Sequence, residues 1–307
     1  MQQMDKGRVV FSEELFDKFV QDTHFLLTYE LHFLMKVMRE NYPELLSQEL
    51  CSYFDSLPYF SNRQVKESHG LFFVKHFYVR VEEAEKGDRT FKLHKRFADY
   101  IVSKLKDIVD EAVENDVLLY FLTSLTNLYG CLSTEQFLIV WHRYNKIAVS
   151  EEKVIQICQH LSKQKYPFRY EKAYIVQEML RPNELEEMLS YVEGKPYYLP
   201  TAEEVGLYTA GIIERTAEAY IRMVDYLSNH PGGLEQSNLN QLIENIAYAL
   251  KFNSDFKNIL RVFDLMNYKF DEDDDQKVLE GIIDFSRKNT RKWINRGFTD
   301  LEMASQH

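Results

Sequence analysis

The chain has 307 residues, 45% of them apolar and 28% charged, with a formal net charge of −11. That length is too great for one small core and predicts two or three domains in an ordinary folded chain. The acidic balance disfavours a protein that wraps nucleic acid by bulk charge, and no apolar run is long enough to cross a bilayer. Glycine (11) and proline (7) are scarce while tyrosine (20) and phenylalanine (21) are abundant, which predicts a mostly helical chain with aromatic-rich cores. The opening MQQMDKGRVVFSEEL lacks the apolar segment of a secretion signal, so a cytoplasmic location is expected. Cys51, Cys131 and Cys158 are far apart and without zinc-ligand spacing; they read as free thiols.

Residues 1–115, net −4, predict an N-terminal helical region with a β-hairpin. FLLTYELHFLMKVM (25–38) is apolar all round, as in a buried helix. Ser61–Gln64 has the form of a capping box with Phe60 and Val65 as its staple. LFFVKHFYVRV (71–81) is aromatic and β-branched, the composition of a strand. EKGDRT (85–90) supplies a turn, TFKLH a return strand, and a helix runs from Lys95 to Glu114.

Residues 116–181, net +2, are the most legible. VLLYFLTSLTNLYG (117–130) is an apolar helix stopped by Gly130. Ser133 and Gln136 form a second capping box, and Phe137, Val140, Trp141 and Tyr144 line one face of the helix it opens. Ser150 caps a third helix with Glu151 and Glu152 in its first turn and Val154, Ile155, Ile157, Cys158 and Leu161 as its core side. FRYEKAYIV (168–176) alternates like a short hairpin. Three short helices and a hairpin are the parts of a winged helix-turn-helix. On that reading the third helix presents Lys153, Gln156, Gln159, His160 and Lys163, and the wing presents Arg169 and Lys172, as candidate nucleic-acid contacts.

Residues 182–307, net −9, predict an acidic helical domain. In GKPYYLPTAEEVGLY (194–208), Tyr197 and Tyr198 offer anchoring surface, Pro200 keeps its predecessor extended, and Thr201 with Glu204 makes a capping box. NHPGG (229–233) marks a turn between helices, with further helices around 235–252 and 255–267. DEDDD (271–275) has neither the glycine nor the glutamate that an EF-hand loop needs at its sixth and twelfth positions; it reads as the acidic start of a last helix. That helix, with Leu279, Ile282 and Phe285 inward, would carry Asn289 and Trp293 on one stripe. Gly297 would turn the chain, and Thr299 with Glu302 would open a further helical turn.

Chemistry-bearing motifs are sparse. His24 and His32, eight apart, lack a third ligand. No nucleophile elbow, phosphate-binding loop or dinucleotide fingerprint occurs. The carboxylate pairs Asp107/Glu111 and Asp110/Glu114 read as a solvated helix face. No catalytic, cofactor or metal residue is assigned.

Two stretches, KPYYLPTAEEVGLYTAGIIERTAEAY (195–220) and NTRKWINRGFTDLE (289–302), resemble a group of uncharacterised proteins from low-GC Gram-positive bacteria and their mobile elements. The likeness rests on the "YY-x-P" and "W-x-x-x-G-[HFY]-T-x-x-E" patterns, hence on Tyr197, Tyr198, Pro200, Thr201, Glu204, Trp293, Gly297, Thr299 and Glu302. It spans about residues 117–302 and departs from the group's pattern at Thr209–Gly211. Many members of the group end in a cysteine/histidine zinc motif of the SEC-C type; no cysteine follows Cys158 here, so no metal is expected. The resemblance implies no catalytic residue.

The expected fold is mainly α with minor β: a helical region with a hairpin, a central winged-helix-like module and a C-terminal helical domain. The expected function is non-enzymatic: docking of a macromolecular partner, most naturally a protein with a basic patch that meets the aromatic, acidic C-terminal half. The alternative is a sequence-specific DNA-binding regulator acting through the third helix.

Overall fold

The computed structural model describes residues 11–55, 71–76, 78–83, 89–164, 166–252, 254–270 and 273–305. These residues are mainly helical, with two small antiparallel sheets. The chain divides into two compact units, Met1–Leu119 and Tyr120–His307.

The first unit contains α1 (Glu13–Thr23), α2 (Thr28–Asn41), a 3-10 turn (Pro43–Leu45), α3 (Gln48–Asp55), α4 (Leu71–Lys75), β1 (Val79–Glu83), β2 (Arg89–Leu93) and the start of α5 (Lys95–Tyr129). Ser12 caps α1 by accepting from the Leu15 N–H at 3.1 Å, meeting one of the orphan donors of a helix start. As its composition predicts, α2 is buried nearly all round, through Leu31, Phe33, Leu34, Met35, Val37 and Met38. Strands β1 and β2 pair in register from Val79 opposite Leu93 to Glu83 opposite Arg89. The strand expected over 71–81 is half helix: Leu71–Lys75 form α4, and the strand begins only at Val79. The reason is tertiary. From its helical turn Phe73 is fully buried and stacks on Phe33 with ring centroids 6.0 Å apart, and such packing overrides strand propensity. The capping box read at Ser61–Gln64 lies outside the described residues, as does most of the turn at 85–90.

A single helix, α5, replaces the two expected over 95–114 and 117–130, and its residues Tyr120–Tyr129 belong to the second unit. It stops at Gly130, whose φ of +75° is the left-handed cap expected there. The second unit continues through β3 (Cys131–Ser133), α6 (Thr134–Tyr144), α7 (Glu151–Ser162), β4 (Phe168–Glu171) and β5 (Tyr174–Gln177). The strands form one antiparallel sheet in the order β3-β5-β4. Lys172 and Ala173, with φ of 51° and 66°, make the two-residue turn between β4 and β5, the backbone geometry of a tight hairpin. Ser133 and Ser150 cap α6 and α7, each accepting a backbone N–H at 3.2 Å. The reciprocal half of the Ser133 box is not made: the buried Gln136 side chain does not reach back to the Ser133 N–H. The inward residues of α7 are Val154, Ile157, Cys158 and Leu161; Ile155 is only half-buried.

The rest of the unit is helical: α8 (Pro182–Val192), α9 (Ala202–Leu207), α10 (Glu218–Asn229), α11 (Gln236–Lys251), α12 (Phe256–Leu265), α13 (Asp273–Asn289) and α14 (Asp300–Ala304). One core joins Met223, Leu242, Ile246, Ile259, Phe263, Leu279 and Ile283; a second joins Val176, Leu185, Met188 and Trp293. Two details of the last helix differ from expectation. Its buried stripe is Leu279, Ile283 and Ser286, with Ile282 and Phe285 at the margin and Asn289 exposed. It also ends at Asn289, so Trp293 lies beyond the helix. The Trp293 N–H donates to the Lys251 carbonyl at 3.0 Å, which docks the tail on the end of α11 and breaks the helical stripe.

Candidate functional site

Three regions of the second unit gather the residues that the sequence singles out or leaves unnoticed. The first is the outer side of α7 with the β4–β5 hairpin. Gln156, Gln159 and Lys163 are exposed there, while Lys153 and His160 are half-buried. Several of these groups are already engaged. Gln156 Nε2 donates to Glu152 at 3.1 Å, and His160 Nε2 lies 3.0 Å from Gln164 Nε2. On the hairpin, Arg169 pairs with Glu171 at 2.8 Å and also donates to the Gln177 carbonyl at 3.2 Å. Lys172 pairs with Glu186 of α8. Both hairpin cations are therefore tied to carboxylates of the same chain, which weakens any attraction for an outside phosphate.

The second region unites the aromatic stretch at 197–204 with the tail at 291–302. Thr201 and Glu204 make a complete capping box on α9; Thr299 and Glu302 make another on α14. The carboxylates of the two boxes are bridged by Arg291, which reaches Glu204 and Glu302 at 2.8 Å each. Its guanidinium lies 3.6 Å from the centre of the Tyr198 ring, a cation–π contact shielded from water because the Arg291 side chain is only 13% exposed. The Tyr198 hydroxyl donates to Glu204 at 2.8 Å, and the Tyr198 carbonyl accepts from Tyr129 at 2.6 Å. Arg296 covers Tyr197 in the same manner, 4.1 Å from its ring centre. Pro200 is buried, and its carbonyl accepts from the Tyr144 hydroxyl.

Trp293 fills the neighbouring core. It is wholly buried, and its indole N–H donates to the Asn127 carbonyl at 2.9 Å. A side chain at Gly130 would come within 2.5 Å of the indole. Gly297, with φ of +88°, packs so tightly that a Cβ would stand 2.8 Å from Tyr129. The expected turn at Gly297 and the helical turn opened by Thr299 are thus present, in service of one interlocked cluster.

Burial works against charge throughout this cluster, and hydrogen bonding answers it. Burial favours the neutral form of Glu204, but the Thr201 N–H, the Tyr198 hydroxyl and Arg291 together hold its carboxyl below the ordinary range. Burial, followed by the Glu204 hydrogen bond, pushes the Tyr198 hydroxyl up to about 12. Lys251 is a different case. It is completely buried, its amine donates to the Arg291 carbonyl at 2.8 Å, and no carboxylate pairs with it among the described residues. Burial first, then repulsion from Arg291, lowers its pKa well below that of a free lysine. Spacing in the sequence gives no sign of this lysine or of the Arg291 bridge, since both depend on contacts between distant segments.

The third region went unnoticed in the sequence. Beside the Trp293 core, Met188, Tyr191, Phe252 and Ile294 line a groove of about 410 Å³ together with Glu184 and Glu187. Phe252 stands edge-on to Trp293, with centroids 5.6 Å apart, so the interlocked tail forms the back of this groove. Glu184 is half-engaged, accepting from the Arg181 N–H and from Tyr248. Glu187 is exposed, and Tyr191 is 56% exposed. The signal that could have found it is NELEEMLSY, an acidic face beside an apolar one on α8.

Among the described residues, no group of three or more histidines, cysteines or carboxylates is placed to hold a metal, and no helix is long and apolar enough to cross a membrane. No family model, curated protein or solved structure matches this chain.

Proposed function

We propose that this chain is a non-enzymatic, cytoplasmic docking protein, whose groove on α8 takes a segment of a partner protein bearing basic and apolar side chains. The carrying observation is the groove itself: an apolar floor of Met188, Phe252 and Ile294, an exposed Tyr191, and the open carboxylate of Glu187. Exposed tyrosine beside a desolvated apolar floor is the usual make-up of an interaction hot spot, and a rim carboxylate selects for a cation. The mobile-element setting implied by the tail motif belongs to this proposal. The test compares wild type with a Tyr191→Ala/Glu187→Lys variant as bait in native-host extract, with the captured partner identified by mass spectrometry and then titrated in purified form. Loss of at least about tenfold in affinity is expected from removing one anchoring aromatic and reversing one charge. A partner that binds both baits equally would overturn the reading.

A second reading draws on the order of elements. In this proposal residues 116–181 are a winged helix-turn-helix, supported by the succession α5-β3-α6-α7-β4-β5 and by the sheet order β3-β5-β4. On that reading α7 would enter a major groove, presenting Lys153, Gln156, Gln159, His160 and Lys163. Glu151, which accepts from the Thr134 hydroxyl, keeps its negative charge at the helix end that would approach phosphate, which counts against this reading. The docking reading is preferred because Arg169 and Lys172 are paired within the chain. Salt-dependent retention of duplex DNA, lost in Lys153→Glu, would reverse that preference.

A further inference from the structure

A cavity of about 270 Å³ opens in the second unit, where the end of α5, the chain after β5, the loop before α10 and one side of α11 converge. For scale, a cavity of about 150 Å³ holds a benzene molecule. Its walls are apolar, drawn from Met179, Ile212, Ile213, Ile243 and Ala247. Its inner end carries an amide pair: Gln177 Nε2 donates to Asn127 Oδ1 at 3.2 Å, and Asn127 Nδ2 donates to the Tyr208 carbonyl at 2.7 Å. The same Gln177 accepts from the Met179 N–H, so both amides are fixed in place before any ligand arrives.

Two charged residues of opposite sign also line this cavity, from different elements. Arg215 comes from the loop before α10, its guanidinium within 3.7 Å of where a Cβ on Gly211 would stand. Glu244 comes from α11. Among the described residues neither side chain makes a hydrogen bond or ion pair, and the two do not pair with each other, although other surface charges of the unit do find partners such as Lys172–Glu186 and Arg222–Glu218. An anion would satisfy only Arg215, and a cation only Glu244. A small molecule carrying both charges at one end and an apolar group at the other satisfies the two residues and the walls together.

We propose that this cavity binds a small zwitterion of the α-amino-acid class with an apolar side chain, its carboxylate on Arg215 and its ammonium on Glu244. The proposal does not rest on the docking reading, since the groove on α8 shares none of these residues. The test is calorimetric titration of the full chain with leucine and phenylalanine, and with two truncated analogues of leucine: 4-methylpentanoate, which lacks the ammonium, and 3-methylbutylamine, which lacks the carboxylate. At least one amino acid should bind at millimolar concentration or below and raise the melting temperature, with its truncated analogues about tenfold or more weaker, the effect of losing one charge-assisted contact. Arg215 and Glu244 are both exposed, so Arg215→Gln and Glu244→Gln keep the core intact. The first should bind leucine no better than it binds the amine, and the second no better than it binds the carboxylate. Absence of binding by either amino acid, analogues that bind as well as leucine, or variants with unchanged affinity would each overturn the proposal.

Discussion

The interlocked tail and the outer side of α7 handle charge in opposite ways. Around Arg291 the charged groups are paired: two carboxylates converge on one guanidinium, a tyrosine ring covers it, and the buried Lys251 amine donates to the Arg291 carbonyl. On α7, Gln156, Gln159 and Lys163 stand in solvent, where hydrogen bonds and ion pairs contribute little to stability. Such a difference separates residues that hold the unit together from residues free to meet something else. The tail motif, conspicuous as a sequence, belongs to the first class. Its substitution should be felt in melting before it is felt in binding.

The largest effect is expected at Trp293. Replacing it with alanine removes a fully buried indole, leaves a cavity against Gly130, Tyr248 and Phe252, and orphans the Asn127 carbonyl. The expected cost is about 4 kcal/mol, read as a lower urea midpoint. Because Phe252 leans on the same ring, partner binding in the groove should weaken as well. A midpoint within error of wild type would show that the tail is not what closes this core.

Arg291→Met comes next. It leaves Glu204 and Glu302 without their common partner, and the expected loss is about 2 kcal/mol at neutral pH, less than for a fully buried pair because Glu302 is well exposed. The pH dependence has a definite sign. Glu204 has a lowered pKa when folded, so its contribution is present above the unfolded carboxylate's pKa and is lost as pH falls through the folded value. The gap between wild type and variant should therefore narrow on acidification. A gap that stays constant between pH 7 and pH 3 would assign the loss to packing against Tyr198 instead.

Lys251→Met sharpens the contrast from inside the cluster. The folded chain holds this amine neutral over a pH span in which the unfolded chain protonates it. Stability therefore falls as pH drops from the free lysine's range toward the folded pKa, with a slope of up to about 1.4 kcal/mol per pH unit. Methionine should flatten that slope, and at neutral pH the change is set by relief of the burial penalty against loss of the bond to the Arg291 carbonyl. Parallel stability-versus-pH curves for the two proteins would refute the assignment.

What the sequence makes legible here is local. Caps at Ser133, Ser150, Thr201 and Thr299, the stops at Gly130 and Gly297, and the hairpin at 168–177 all depend on residues a few positions apart, and backbone chemistry at that range is strong. Contacts over long separations are another matter. Nothing near Arg291 in the sequence points to Glu204, 87 residues away, and Trp293 reads as helical until the Lys251 carbonyl is found holding its N–H. The same limit explains Phe72–Val74, whose strand composition yields to helix once Phe73 finds Phe33. The groove on α8 leaves only the amphipathic pattern of NELEEMLSY, since Phe252 and Ile294 come from distant segments, and the cavity at Arg215 leaves no mark that spacing reveals.

The smallest effect on stability is expected on α7, and there the comparison is most easily broken. Lys163 is exposed and Lys153 half-buried, so Lys153→Glu and Lys163→Glu should each move the urea midpoint by about 0.5 kcal/mol or less. Their value lies in what else they change. If the docking reading holds, neither alters capture of the groove's partner, and wild type shows no duplex retention that depends on salt. If α7 reads DNA, each reversal removes a cation from the interface, weakens duplex binding and lowers the slope of log affinity against log salt by about one phosphate contact. Stability thus stays fixed while binding either stays or falls, which is the behaviour of a surface left open for a partner. A loss of stability comparable to that of Arg291→Met would mean that α7 is tied into the fold as firmly as the tail, and the division between the two regions would fail.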